Sequence, residues 1–209
     1  MWPHRETGRG SGLEARCGVP ESVAQRIALL GGSFDPPHVA HVLLAAYVLL
    51  IGEVDEVLVV PVCEHAFGKQ LAPFADRVAL CERAFSGLRH VSVSRIEEEL
   101  PRPNRTLATL ERLKAQRPES ELRLLVGSDV LADAAKWHAF DEVVRLAPLL
   151  VVPRPGHAEG GPLLMPDVSS TRVRELLAHR EEPAALSELS ALLPRAVLDY
   201  ALENQLYTR

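Results

Sequence analysis

Apolar and polar positions fall into blocks along this chain, and the period of the blocks changes in a regular order. "RIALLGG", from Arg26, is short, apolar and closed by glycine, which reads as a buried strand. "HVLLAAYVLLIG" follows, apolar on most faces and closing on Gly52, as expected of a helix buried in an α/β layer. "DEVLVVPV" is a second, β-branched strand. "FADRVALCERAFSGL" has helical spacing that offers Phe74, Val78, Leu80, Cys81 and Phe85 to a core. "HVSVSR" alternates as a strand, and "RTLATLERLKAQ" is a helix with Leu107, Leu110 and Leu113 on one face. "ELRLLVGSD" reads as a strand ending at glycine, "AFDEVVRLA" as a helix, and "PLLVVPRPG" as a strand closed by a Pro-Gly turn. "SSTRVRELLAHR" and "PRAVLDYALENQLY" are helical.

Strands and helices alternating at this spacing predict an α/β fold: a doubly wound parallel sheet covered on both faces, with helices at the C-terminal end. Residues 1–25 are rich in Gly, Arg and Glu and have no apolar period, so they are expected to be a disordered leader to one domain over 26–209. Sheets of this kind bind ligands outside the C-terminal ends of their strands. Four segments fall there: 31–41, 63–69, 127–137 and 153–157.

The composition sets limits on this picture. The chain has 209 residues, nearly half of them hydrophobic (47%), a globular balance that argues against wholesale disorder. A net charge of −5 argues against nucleic acid as a partner, although a local cationic pocket is compatible with it. Cys17, Cys63 and Cys81 lack metal-ligand spacing and read as reduced thiols. The N-terminus carries no signal-like apolar core, and the longest apolar run, Val42 to Ile51, is about half the length a bilayer requires. A soluble cytoplasmic protein with no membrane partner is expected, and self-association into a homo-oligomer is left open.

The chemistry concentrates in "GGSFDPPHVAH", residues 31–41. Gly31 and Gly32 follow the first strand, where the backbone is expected to turn tightly and to let a ligand approach. Asp35 is a plausible N-cap, and the prolines stand where a missing N–H does little harm. His38 and His41 then lie one turn apart on one face of the helix start. Helix amides, partial positive charge and two imidazoles together make a receptor for phosphate oxygens. Taken alone, the histidine pair is also compatible with an incidental placement or with half of a zinc site. No partners stand at zinc spacing, and no residue is assigned as a metal ligand. A dinucleotide-binding turn is a further alternative, but the third glycine of that fingerprint is missing.

The whole eleven-residue string resembles the nucleotide-binding signature of the nicotinate or nicotinamide mononucleotide adenylyltransferases, of the nucleotidylyltransferase superfamily. "LLVGSDVLADAAKWHAFDEVVRLAPLLVVPRPG" resembles the central block of that family, "VSSTRVRELL" its Ser-Ser-Thr-x-x-Arg motif, and "LPRAVLDYALENQLY" its closing helix. The resemblance runs from Arg26 to Tyr207. It implies a Rossmann-like nucleotidylyltransferase fold and a Mg²⁺-dependent reaction. The adenylyl group of ATP passes to nicotinate mononucleotide, giving deamido-NAD and pyrophosphate for NAD biosynthesis. Nicotinamide mononucleotide as the preferred acceptor is one alternative, and a non-catalytic nucleotide-binding protein of the same fold is another.

The resemblance also implies roles for residues. Gly31, Gly32, Ser33 and Phe34 would line the nucleotide, and His38 and His41 would contact its phosphates, His41 at the α-phosphate. Ser170 or Thr171 would cap a helix and offer hydroxyl and amide to phosphate, with Arg174 on the same face forking onto phosphate oxygens. Arg172 and Arg180 read as solvated. Lys69 would be a second cation, though the family's Pro-Pro-His-Lys string is here "CEHAFGK", with His65 in the histidine's place. Arg77 is either structural or phosphate-facing. Gly127 and Asp129, past a strand end, would serve the nucleotide, and an N-cap is the alternative for Asp129. Thr106 would meet the pyridine substituent. Trp137 would frame the pyridine pocket or simply fill a core, and Arg154 would reach the mononucleotide phosphate or be a turn residue. Ala40 stands where the family prefers Gly, and Ala108 where aspartate is common.

The residue types suit the implied chemistry. The attacking phosphate oxygen is already ionised near neutral pH, so alignment and charge neutralisation matter more than a strong base.

Overall fold

Alternate residues of each central strand face opposite sides of the sheet, and both sides are apolar, so the sheet must be covered twice. A computed structural model describes residues 24–64, 68, 70–128, 137–152 and 165–208. Five strands form one parallel sheet: β1 (Arg26–Gly32), β2 (Glu56–Pro61), β3 (Val91–Val93), β4 (Glu121–Gly127) and β5 (Leu149–Val152), in the order β3-β2-β1-β4-β5. The chain winds outward from β1 to β3 and then returns to β1's other edge with β4. That reversal places a crevice above the C-terminal ends of β1 and β4, where such sheets bind ligands.

On one face, Ala28, Leu30, Val57 and Val59 pack with α1 (Val39–Leu50), α2 (Phe74–Phe85), α5 (Ser170–Ala178), α6 (Pro183–Leu192) and α7 (Arg195–Glu203). On the other, Ile27, Leu29, Leu58 and Val60 pack with a 3₁₀ turn at Ile96–Glu99, α3 (Thr106–Gln116) and α4 (Phe140–Leu146). The expected α/β doubly wound architecture is therefore the observed one. Val78, Leu80, Cys81 and Phe85 of α2 are buried as expected, while Phe74 is only partly so and lies beneath the guanidinium groups of Arg77 and Arg95. No helix among the described residues is long and apolar enough to cross a membrane.

Local differences from expectation have physical causes. Helix α6 carries Pro183 in its first turn, a good start signal, but it is apolar nearly all round and has no sharp face to announce it. The tight turn expected at Gly31 and Gly32 is not there. Both glycines lie within β1, paired with Val60 and Pro61, and the left-handed residue is Phe34, at φ 46°. Asp35 does not cap α1. The cap is His38, whose extended backbone (φ −138°, ψ 175°) precedes Val39. Helix α5 is likewise capped by Ser169, whose hydroxyl accepts the Arg172 N–H at 3.2 Å, rather than by Ser170 or Thr171. The leader lies outside the described residues apart from 24 and 25.

Candidate active site

A cavity of about 470 Å³ opens at the C-terminal edge of the sheet. Of the sequence-predicted residues, Gly31, Gly32, Ser33, His41, Thr106, Gly127 and Trp137 line it. They come from the ends of β1 and β4, the start of α1, the first turn of α3 and the approach to α4, so the switch point collects them from five places. Lys69, Asp129 and Arg154 lie outside the described residues, as does His65.

The β1–α1 loop is set by what its backbone must do. Gly32 has little room for a side chain, because a Cβ there would stand 3.2 Å from the ring of Phe34. Phe34 is buried with its ring 5.0 Å from that of His41 and 6.4 Å from that of Phe85. It supports the loop from below and is not part of the cavity lining. The His38 backbone N–H donates to Nδ1 of His41 at 3.1 Å, and the two imidazoles lie with centroids 3.8 Å apart. This fixes the aim of the His41 ring at the helix N-terminus, where the dipole favours an anion. His38 is only 2% exposed and does not line the cavity; its ring backs that of His41.

Arg77 holds the loop from one side. Its guanidinium is 1% exposed and donates to four carbonyls: Ala72 at 2.9 Å, Ser33 at 2.9 Å, Val62 at 2.7 Å and Cys63 at 3.3 Å. It therefore ties the β1–α1 loop to the segment after β2. Burial pulls its pKa below the ordinary arginine value, with Asp35 opposing. Of the two readings open for Arg77, the structural one fits this placement.

From the other side comes α5. Ser170 Oγ donates to the Pro36 carbonyl at 2.9 Å, and Arg174 donates to the Asp35 carbonyl at 2.7 Å and to Thr171 Oγ1 at 3.3 Å. Ser170 and Arg174 grip the loop, Thr171 backs Arg174, and none of the three is in the cavity lining. The Arg174 side chain remains 38% exposed. Arg172 pairs with Glu188 at 3.0 Å on the surface, in keeping with a solvated role.

Two features of the cavity lining went unread in the sequence. Glu97 sits in an acidic triplet that looks like solvated surface, yet it is 5% exposed and lines the cavity. Its carboxylate accepts the Cys63 N–H at 2.9 Å and, more weakly, the Thr109 hydroxyl at 3.4 Å, while its backbone carbonyl accepts from Asn104 at 2.9 Å. Burial raises its pKa above the ordinary glutamate value, opposed by those hydrogen bonds and by Arg77. The second feature is an apolar stretch of the cavity lining, Ala40, Leu44, Val152 and Met165. Trp137 is partly buried against the α3–α4 core and meets Phe140 edge-on at 6.1 Å, so it serves packing and cavity together.

Residues 29–176 match the cytidylyltransferase-like family. The chain is 44% identical over 191 residues to the probable nicotinate-nucleotide adenylyltransferase of Anaeromyxobacter dehalogenans strain 2CP-1, covering 89% of this chain and 98% of that protein. It is 40% identical over 187 residues to the protein of the same name from Myxococcus xanthus, covering 88% and 95%. The chain belongs to the nicotinate-nucleotide adenylyltransferase family. The fold agrees with that of the Plasmodium falciparum nicotinic acid mononucleotide adenylyltransferase complexed with NaAD, at a TM-score of 0.74 and 18% identity, covering 88% of this chain and 97% of that one. The paired-histidine loop and the Trp137–Thr106 pocket are the two parts of the cavity lining that carry candidate site residues.

Proposed function

We propose that this protein transfers the adenylyl group of ATP to nicotinate mononucleotide, releasing pyrophosphate and forming deamido-NAD. The observation that carries the reading is the β1–α1 loop, with the His41 imidazole held by the His38 amide at a helix N-terminus that opens on the cavity. The names of the relatives favour the nicotinate form of the acceptor.

In this reading a phosphate oxygen of the mononucleotide attacks the α-phosphorus of ATP. The new O–P bond forms as the bond to the β-phosphate oxygen breaks, and pyrophosphate leaves with the electron pair. The attacking oxygen needs no deprotonation near neutral pH, so the residues serve alignment and charge. His41 and the α1 amides oppose charge growing on the α-phosphate, and Arg174 meets the departing phosphates. Ser33 and the two glycines let the triphosphate approach the backbone. Thr106 and Trp137 frame the pyridine ring, with Lys69, Asp129 and Arg154 as further ligands proposed from the sequence resemblance. Mg²⁺ supplies neutralising charge on the triphosphate. Among the described residues no group of three or more His, Cys, Asp or Glu stands together to hold it.

The test is direct. Purified protein with Mg²⁺, ATP and nicotinate mononucleotide should release pyrophosphate and yield deamido-NAD by chromatography, with nicotinamide mononucleotide a poorer acceptor in a parallel reaction. Absence of pyrophosphate with both acceptors would end the proposal.

A further inference from the structure

Beyond α7 the backbone takes an unusual course. Helix α7 closes in a Schellman cap, with Gln205 left-handed at φ 50° and the Leu206 N–H donating to the Ala201 carbonyl at 2.9 Å, but Tyr207 then takes a second left-handed conformation, at φ 59°, that the cap does not require. Side-chain-bearing residues hold such backbone only where their surroundings over-determine it, and such strain clusters at functional sites. What holds Tyr207 is Asp35, in the β1–α1 loop 172 residues away: the phenol donates to Asp35 Oδ1 at 2.8 Å.

Asp35 is 3% exposed and engaged on every side. Its Oδ1 also accepts the Ala72 N–H at 3.1 Å, its Oδ2 faces Arg174 at 3.8 Å, and its backbone carbonyl takes the Arg174 guanidinium at 2.7 Å. We propose that Tyr207 is a positioning residue for the phosphate end of the site, acting through Asp35 to set where the Arg174 guanidinium points. The inference rests on the adenylyl-transfer reading.

The physical argument is a competition for one carboxylate. Two donors, the phenol and the Ala72 amide, hold Asp35 Oδ1 away from Arg174, which leaves the guanidinium anchored by the loop carbonyl and by Thr171 rather than drawn into a close ion pair. Burial and the neighbouring carboxylate keep the phenol protonated, so it remains a donor throughout the working range. Without the phenol, the least costly response of a buried carboxylate left short of a donor is to turn toward the cation. Arg174 would then be pulled inward, away from a triphosphate.

The test uses the full chain carrying Tyr207→Phe, assayed with Mg²⁺, ATP and nicotinate mononucleotide. We expect kcat to fall roughly tenfold while KM for the mononucleotide stays within about twofold. The loss should disappear in an Arg174→Ala background, where there is no guanidinium left to aim. Unchanged kcat, or a loss that multiplies with that of Arg174→Ala, overturns the proposal. Asp35→Asn, which removes the charge that would draw Arg174 inward, should suppress the loss caused by Tyr207→Phe, and a loss that persists in the double variant overturns the proposal. Binding of α,β-methylene ATP, measured by calorimetry on the same proteins, is independent of turnover. We expect roughly tenfold weaker binding for Tyr207→Phe only where Arg174 is present, and equal affinity overturns the inference. A wild-type chain that binds the analogue but forms no product would sink the adenylyl-transfer reading alone.

Discussion

The two ends of the cavity are built on different terms. At one end, the β1–α1 loop is gripped from outside by side chains that reach backbone carbonyls: Arg77 from α2, Ser170 and Arg174 from α5. At the Trp137 and Thr106 end, one buried carboxylate, Glu97, links the segment after β2 to α3 from within. The first arrangement fixes the backbone and leaves a rigid set of donors for an anion. The second puts an ionisable group into the lining itself. The contrast teaches that at the first end the loop can be held by groups outside the cavity, as Arg77 and Ser170 hold it, whereas at the second end the group that ties the segments together also lines the cavity.

The largest break in this contrast should come from His41→Ala, which touches function while the loop's outer grip stays in place. We expect kcat to fall by roughly 10²–10³, the loss typical of one charge-stabilising donor, with the thermal midpoint shifted by no more than a missing cap contact allows, about 1 kcal/mol. Steady-state kinetics beside calorimetric melting would check both halves. Next in size is Arg77→Met. Four carbonyls lose their donor in a buried place, so we expect destabilisation of about 3 kcal/mol, read by urea denaturation. A midpoint close to wild type would mean that the clamp is dispensable.

A smaller effect is expected from Trp137→Ala at the other end. KM for the mononucleotide should rise roughly tenfold with KM for ATP little changed. Equal rises in both constants would break the assignment of the two ends. The smallest effect belongs to Glu97→Gln and is one of pH. Burial raises the Glu97 pKa, so the folded state holds its proton more tightly than the unfolded chain. Its contribution to stability is complete below the ordinary glutamate value and declines as pH rises through the raised one. Glutamine cannot ionise, so the variant should lose less stability than wild type as pH rises above the ordinary glutamate value of about 4.3. Parallel melting profiles for the two proteins above that value would remove Glu97 from this role.

What could be read from the sequence followed the range of the forces involved. Strands and most helices were legible because their periodicity is local, and the paired histidines stood out because one helical turn brings them together. Asp35 looked like a helix cap because the sequence shows only its neighbours, whereas its partners are Ala72, Arg174 and Tyr207, brought to it by the fold. Ser169 took the capping place expected for Ser170 or Thr171 because Ser170 is engaged by Pro36, a contact between distant segments. Glu97 was hidden for a similar reason. Nothing in three consecutive glutamates tells which one turns inward, and only the Cys63 amide and Thr109 distinguish it.

The Arg77 guanidinium has one more consequence. By riveting two neighbouring loops together it removes the play from one lip of the crevice, so a bulky guest cannot be admitted by that lip swinging outward. Whatever breathing entry and exit require has to come from the facing lip, where α3 and the approach to α4 meet, and loosening there would set how fast the finished molecule departs.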